Sequence, residues 1–140
     1  MPSPVSVVPV LVLAAAASAL PAAARASAPA DLLKGYEAAA RAASPAFPGL
    51  SAERGMRLFR SAQGGEWSCA TCHGETPTTA GRHARTAKAI QPLAPAANAQ
   101  RFTDAAQVEK WFRRNCGDVL GRECTAQEKG DVLAWLLTLK

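Results

Sequence analysis

Hydrophobic positions recur at helical spacing in four stretches of the chain. Nowhere do they alternate as they would in a half-buried strand. Ala30 to Ala43 carries Leu32, Leu33 and Tyr36 among alanines, with Asp31 near its start and Pro45 to stop it. The stripe is weak, so this first helix reads as a peripheral arm. Ser51 to Ala62 is a second helix, capped by Ser51 and ended by Gly64-Gly65, with Met56, Leu58 and Phe59 facing a core. A third runs from a Thr103 cap to about Asn115, with Ala105, Val108, Trp111 and Phe112 on one face. The last opens on Thr125-Ala126-Gln127-Glu128, a capping box, and turns Val132, Trp135, Leu136 and Leu139 inward. Between them, Gly74 to Arg101 is loop-like, with Pro77, Pro92 and Pro95. So long an irregular stretch in a compact domain is functional or wraps something. The class is all-α, with no internal repeat.

Composition sharpens this picture. The chain has 140 residues, about one domain's worth, and only 6% are aromatic although 49% are hydrophobic. Something other than aromatic side chains must help to fill the interior. The net charge is +5 and the basic residues are spread out rather than run together, so nucleic-acid binding is not indicated. Much of the apolar content lies at the N-terminus. Val5 to Leu20 is apolar, broken by Pro9 and Ser18, and is followed by Ala24-Arg25-Ala26 and Ala26-Ser27-Ala28. This is an export signal with an A-x-A cleavage pattern, although no Lys or Arg precedes the apolar run. Ala26 is the preferred cleavage residue among Ala24, Ala26 and Ala28, since cutting after Ala28 leaves Pro29 first. The alternative, an uncleaved anchor, needs about 20 apolar residues, more than this run supplies. The protein is therefore expected in the periplasm, peripheral to a membrane at most. Residues 1–26 are the signal, 27–48 a helical extension and 49–140 the main domain.

The chemistry sits in Cys69-Ala70-Thr71-Cys72-His73. C-x-x-C-H is the attachment pattern of a c-type haem. Two thiols three residues apart on a helical turn can each add to one vinyl group of the porphyrin, and the adjacent imidazole then faces the iron. One covalent haem c would also supply the apolar surface that the sequence lacks. Other readings are weaker. A thioredoxin-like pair needs a βαβ pattern. Zinc needs about four ligands, and Cys72 next to His73 chelates one tetrahedral ion poorly even with Cys69 and His83. A Cys69–Cys72 disulfide closes a very short, strained loop.

Two further cysteines, Cys116 and Cys124, bracket a short segment between the third and fourth predicted helices. In an oxidising compartment, with the other thiols taken by haem, these two pair. The sixth position on the iron is more specific. Electron-transfer cytochromes c use a methionine there. Met1 leaves with the signal and Met56 precedes the haem motif on a helix with an apolar role. The remaining choices are His83, a lysine, Asn98, Asn115 or nothing. His83 lies ten residues after His73 and is flanked by Arg82 and Arg85. Asn115 sits at the predicted end of a helix beside the disulfide, where a plain capping role is the alternative. An amide oxygen is a weak, hard ligand that suits ferric better than ferrous iron.

Several stretches together resemble the Sphaeroides haem protein family, high-spin monohaem c-type cytochromes of bacteria. They are Pro92-Leu93-Ala94-Pro95, Arg101-Phe102-Thr103-Asp104, Val108 through Cys116, Leu120 through Thr125, and Glu128-Lys129-Gly130-Asp131. The resemblance runs from about Gly49 to the C-terminus, and residues 27–48 have no clear counterpart in its core pattern. It implies a class I cytochrome c fold, haem on Cys69 and Cys72, and His73 as proximal ligand. It implies Asn115 as a ferric-state ligand that leaves on reduction, beside a Cys116–Cys124 disulfide. It also implies binding of oxygen or nitric oxide by the reduced protein and a dihaem cytochrome c as electron donor.

Around the haem, Arg82, Arg85, Lys88 and Arg101 are candidates for propionate partners, and with His83 they make a basic rim that would steer an acidic redox partner. Trp111 and Phe112 are candidates for the distal pocket. The favoured function is electron transfer with gas binding at a labile site. The alternatives are an enzyme that reduces or consumes oxygen or nitric oxide, and a plain low-spin carrier with His83 as sixth ligand.

Overall fold

The computed structural model describes Met1 and residues 28–140. Apart from Met1, the expected export signal lies outside the described residues. Among the described residues there are five helices and one short hairpin: α1 Pro29–Ala43, α2 Ala52–Arg60, α3 Cys69–His73, β1 Gly81–Arg82, β2 Ala89–Ile90, α4 Ala105–Leu120 and α5 Ala126–Leu136. None of these helices is long and apolar enough to cross a membrane.

Local chemistry explains most of the starts. The Ser51 side chain accepts the Arg54 N–H at the head of α2. Thr125 and Glu128 exchange bonds in a capping box at the head of α5. Pro29, with its φ already fixed, opens α1. α4 is capped by Asp104 rather than Thr103, through the Gln107 N–H. It also runs five residues past its expected end. Val119 and Leu120 continue its inward stripe, and the chain leaves the helix only at Gly121, in the left-handed region at φ 67°. The hairpin was missed because two residues per strand carry no readable alternation; Gly81 pairs with Ile90 and Arg82 with Ala89.

The core forms where α2 crosses α5. Phe59, Leu133 and Leu136 are fully enclosed there, and the Phe59 and Trp135 rings lie 4.9 Å apart. The crossing is close because residue 55 is glycine. A Cβ at that position would sit 1.9 Å from the Asp131 carbonyl oxygen. Asp131 itself is buried and fully occupied: Oδ1 accepts the Ser51 N–H at 2.6 Å and Oδ2 the Arg54 Nε–H at 2.8 Å. A buried carboxylate held this way fixes the register of the two helices.

α1 is not a peripheral arm. It packs along α5 and buries Tyr36 and Ala40, and Tyr36 belongs to the same core cluster as Phe59 and Trp135. α4 is the exception to helix-on-helix packing. Among the described residues it lies along none of the other helices in the way α1 and α2 lie along α5. Side chains fasten it instead, and a cavity runs along its inner face.

Candidate haem site

A short helix presents the motif. Ser68 accepts the Thr71 N–H, and the Thr71 hydroxyl accepts the Ser68 N–H in return. This reciprocal cap stabilises a five-residue helix that would otherwise be marginal. The hairpin then presses on its far side. A Cβ on Gly81 would lie 2.2 Å from the Cys72 carbonyl oxygen, and the Ala84 N–H donates to Cys72 Sγ at 3.3 Å.

Cys69, Cys72 and His73 line one side of a cavity of about 750 Å³, and Val108, Phe112 and Asn115 of α4 line it too. Both thiols are free. Burial pushes the Cys69 thiol up to about 11, with only a partial offset from a backbone hydrogen bond. Burial also pushes the His73 imidazole down to about 4, and the Arg101 charge acts in the same direction. His73 is therefore neutral at physiological pH, with a lone pair free for a metal. Arg101 is held in place by donating to the Pro92 and Gln91 carbonyls at 2.8 and 2.7 Å. Two free thiols on one turn, a neutral imidazole beside them, an apolar cavity and an arginine at its margin fit a covalently attached haem.

The other expected contacts divide. His83, Arg85, Lys88, Arg101 and Trp111 all line the cavity. Arg82 does not; it donates to the Ala87 carbonyl across its own hairpin. Asn98 is also absent from the wall and turns instead to the Gln100 N–H. His83 is tied to the α3 side: its hairpin is pinned to Cys72, and its Nδ1 accepts the Thr86 N–H at 3.2 Å. Met56 packs against the core cluster and lines no part of the cavity. Sequence reasoning gave no role to Trp67, whose indole carries the Arg85 guanidinium 4.9 Å away at the cavity wall. Its place just before the haem motif was the available signal.

Asn115 lies inside α4 rather than at its end, immediately before Cys116. Cys116 and Cys124 form a disulfide with a Cα separation of 5.6 Å, and Arg113 pairs with Glu123 at 3.5 Å beside it. The C-terminal end of α4 is thus fastened to the loop that leads into α5. Replacing Cys116 and Cys124 with serine is expected to cost about 2–3 kcal/mol, as loop closure of this size implies, and to broaden the haem spin-state signals. Thermal melting and absorption spectra of the double variant check this; no movement in either would mean the bridge is idle.

Comparison with known proteins decides the family. Residues 45–136 match the profile of a domain of unknown function, DUF1924. The chain is 55% identical over 120 residues to the cytochrome c-type protein SHP of Cereibacter sphaeroides, covering 83% of this chain and 88% of that one. The chain belongs to the Sphaeroides haem protein family. It is 39% identical over 107 residues to cytochrome c'' of Methylophilus methylotrophus, covering 74% of each. Its fold matches oxidised SHP, described as an oxygen-binding cytochrome c, at a TM-score of 0.71 and 51% identity, over 81% of this chain and 98% of the other. Oxidised cytochrome c'' matches at 0.71 and 36% identity, over 80% and 94%. As a member of this family, the protein is a c-type cytochrome with a class I fold and one covalent haem c. The 120 aligned residues are more than the stretch from Gly49 to Lys140 holds, so the alignment reaches into α1. The N-terminal segment therefore has a counterpart in the family after all.

Proposed function

We propose that the protein is an exported, periplasmic electron-transfer cytochrome whose iron opens to a diatomic gas on reduction. Cys69 and Cys72 would hold the porphyrin by thioether bonds, and His73 would face the iron from the α3 side. Asn115 would face it from α4. The haem supplies a one-electron couple and, where a position on its iron is free, a site for oxygen or nitric oxide. The chain's own contribution is to present a weak donor. The Asn115 amide oxygen is neutral and hard, so it would hold ferric iron better than ferrous iron and would give way on reduction.

The observation that carries this reading is the makeup of the cavity wall: Asn115 stands on it, while Met56 lies elsewhere and His83 is tied to α3. Two relatives add support. SHP is described as an oxygen-binding cytochrome c, and a solution structure of cytochrome c'', with a TM-score of 0.68 and 37% identity over 79% and 92% of the two chains, addresses haem-ligand detachment.

Trp111, 46% exposed, stands at the cavity wall with Lys110 and Arg114 at 5.8 and 5.7 Å from its ring. With Arg85 and Lys88 they favour an acidic redox partner, and a dihaem cytochrome c is the partner we assign. The absorption spectrum of the oxidised and reduced protein, with and without nitric oxide, tests the whole reading. A high-spin reduced spectrum that shifts on adding the gas is expected. A sharp low-spin reduced spectrum indifferent to gas would return the protein to a plain carrier with a firm sixth ligand.

A further inference from the structure

We infer that Tyr36 is a positioning residue for the sixth ligand: from α1 it clamps α4 so that Asn115 stays seated. This rests on the reading of Asn115 as that ligand. The clamp is a meeting of three helices on one carboxylate. The Tyr36 hydroxyl donates to Glu109 Oε1 at 2.6 Å, and the Lys129 ammonium of α5 donates to Glu109 Oε2 at 2.6 Å. Tyr36 is 8% exposed and the Lys129 side chain 14%, while the Glu109 side chain keeps 40% exposed, so the exchange is part-buried with its two donors on the inner side. The Tyr36 ring also meets Phe112 edge-on, at 6.0 Å and 90°. Phe112 lines the cavity one turn from Asn115.

Lys129 balances most of the Glu109 charge, and Arg113 adds to it. The tyrosine hydroxyl adds no charge, but it adds direction, because it fixes the carboxylate toward α1. That matters because, among the described residues, α4 has no helix lying along it. Besides the Arg113–Glu123 pair and the packing of Val108 and Phe112, it is attached by the clamp at Glu109 and the disulfide at Cys116, and Asn115 falls between these two. Asn115 lies six positions after Glu109, roughly 9 Å along the axis. A helix held at both ends keeps the amide in reach of the iron. A helix freed at the clamp can tilt and withdraw it.

The test is Tyr36→Phe, which deletes the hydroxyl and keeps the ring on Phe112. In the full-length ferric holoprotein, the spectrum is expected to shift toward high spin and azide to bind about tenfold more tightly, the scale of one lost hydrogen bond to a charged group. Amide hydrogen exchange should quicken at residues 112–116. In an Asn115→Ala background, adding Tyr36→Phe should leave azide affinity where it was. Azide affinity and exchange equal to wild type would overturn the clamp while leaving the ligand assignment standing. A further gain in the Asn115→Ala background would also overturn it, since Tyr36 would then be acting on something other than Asn115. An unchanged ferric spectrum in Asn115→Ala itself would remove the ligand assignment, and the clamp's role with it.

Discussion

Asn115→Ala is expected to leave haem attachment intact and to raise the affinity of the ferric protein for azide by about a hundredfold. An internal ligand that occupies the iron 99% of the time reduces the apparent affinity of any competitor by that factor. The attachment residues lie on α3, so they are untouched. The ferrous protein should respond differently. On the proposed reading the amide would already have left there, and nitric oxide affinity should move little. This contrast between oxidation states is the signature of a redox-released ligand, and parallel titrations in both states measure it. Equal gains in both states would mean that Asn115 only crowds the pocket.

Gly55→Ala carries the largest expected loss of stability. The new methyl would need to occupy space 1.9 Å from the Asp131 carbonyl oxygen and 2.7 Å from the Val132 nitrogen. Both are backbone atoms in the middle of α5, so no side chain can swing aside. α2 and α5 must separate, and the bonds from Ser51 and Arg54 to Asp131 stretch with them. A cost of about 3 kcal/mol is expected. The melting temperature should fall by roughly 12 °C. Gly117→Ala is the control. It lies in α4 with open space at its Cβ position and should stabilise the protein slightly. Melting curves of the two variants decide the matter; a Gly55→Ala protein as stable as wild type would show that the crossing is looser than its geometry implies.

The sequence was most legible where function rests on local spacing. C-x-x-C-H names its cofactor because the two thiols and the imidazole act from one helical turn. The starts of α2 and α5 were equally readable, because Ser51 and the Thr125–Glu128 box act within three residues; the cap of α4 was displaced by one, from Thr103 to Asp104. What escaped reading depends on partners distant in the chain. The burial of Tyr36 comes from α5, so a weak stripe of alanines looked peripheral when it was not. The extra turns of α4 were hidden because Cys116 and Gly117 look like a break, while the real stop is Gly121. For the site, the absence of a usable methionine left His83, a lysine, Asn98 and Asn115 open; the family resemblance pointed to Asn115, and the place of His83 could not be read. Only the packing of Gly81 and Ala84 on Cys72 ties that histidine to the α3 side.

The packing of α1 bears on anyone who wishes to trim this protein for a fusion or a gas sensor. The shared family segment, residues 45–136, invites a cut at Pro45. Such a cut would remove Tyr36 and Ala40 from the interior and uncover the side of α5 that they shield. It would also leave Lys129 and Glu109 to face solvent without their tyrosine. The family profile thus covers a smaller unit than the packed domain, which the alignment with SHP already extends into α1. A safe start lies upstream of Pro29, and a safe end includes Leu137 and Leu139, which pack against the core.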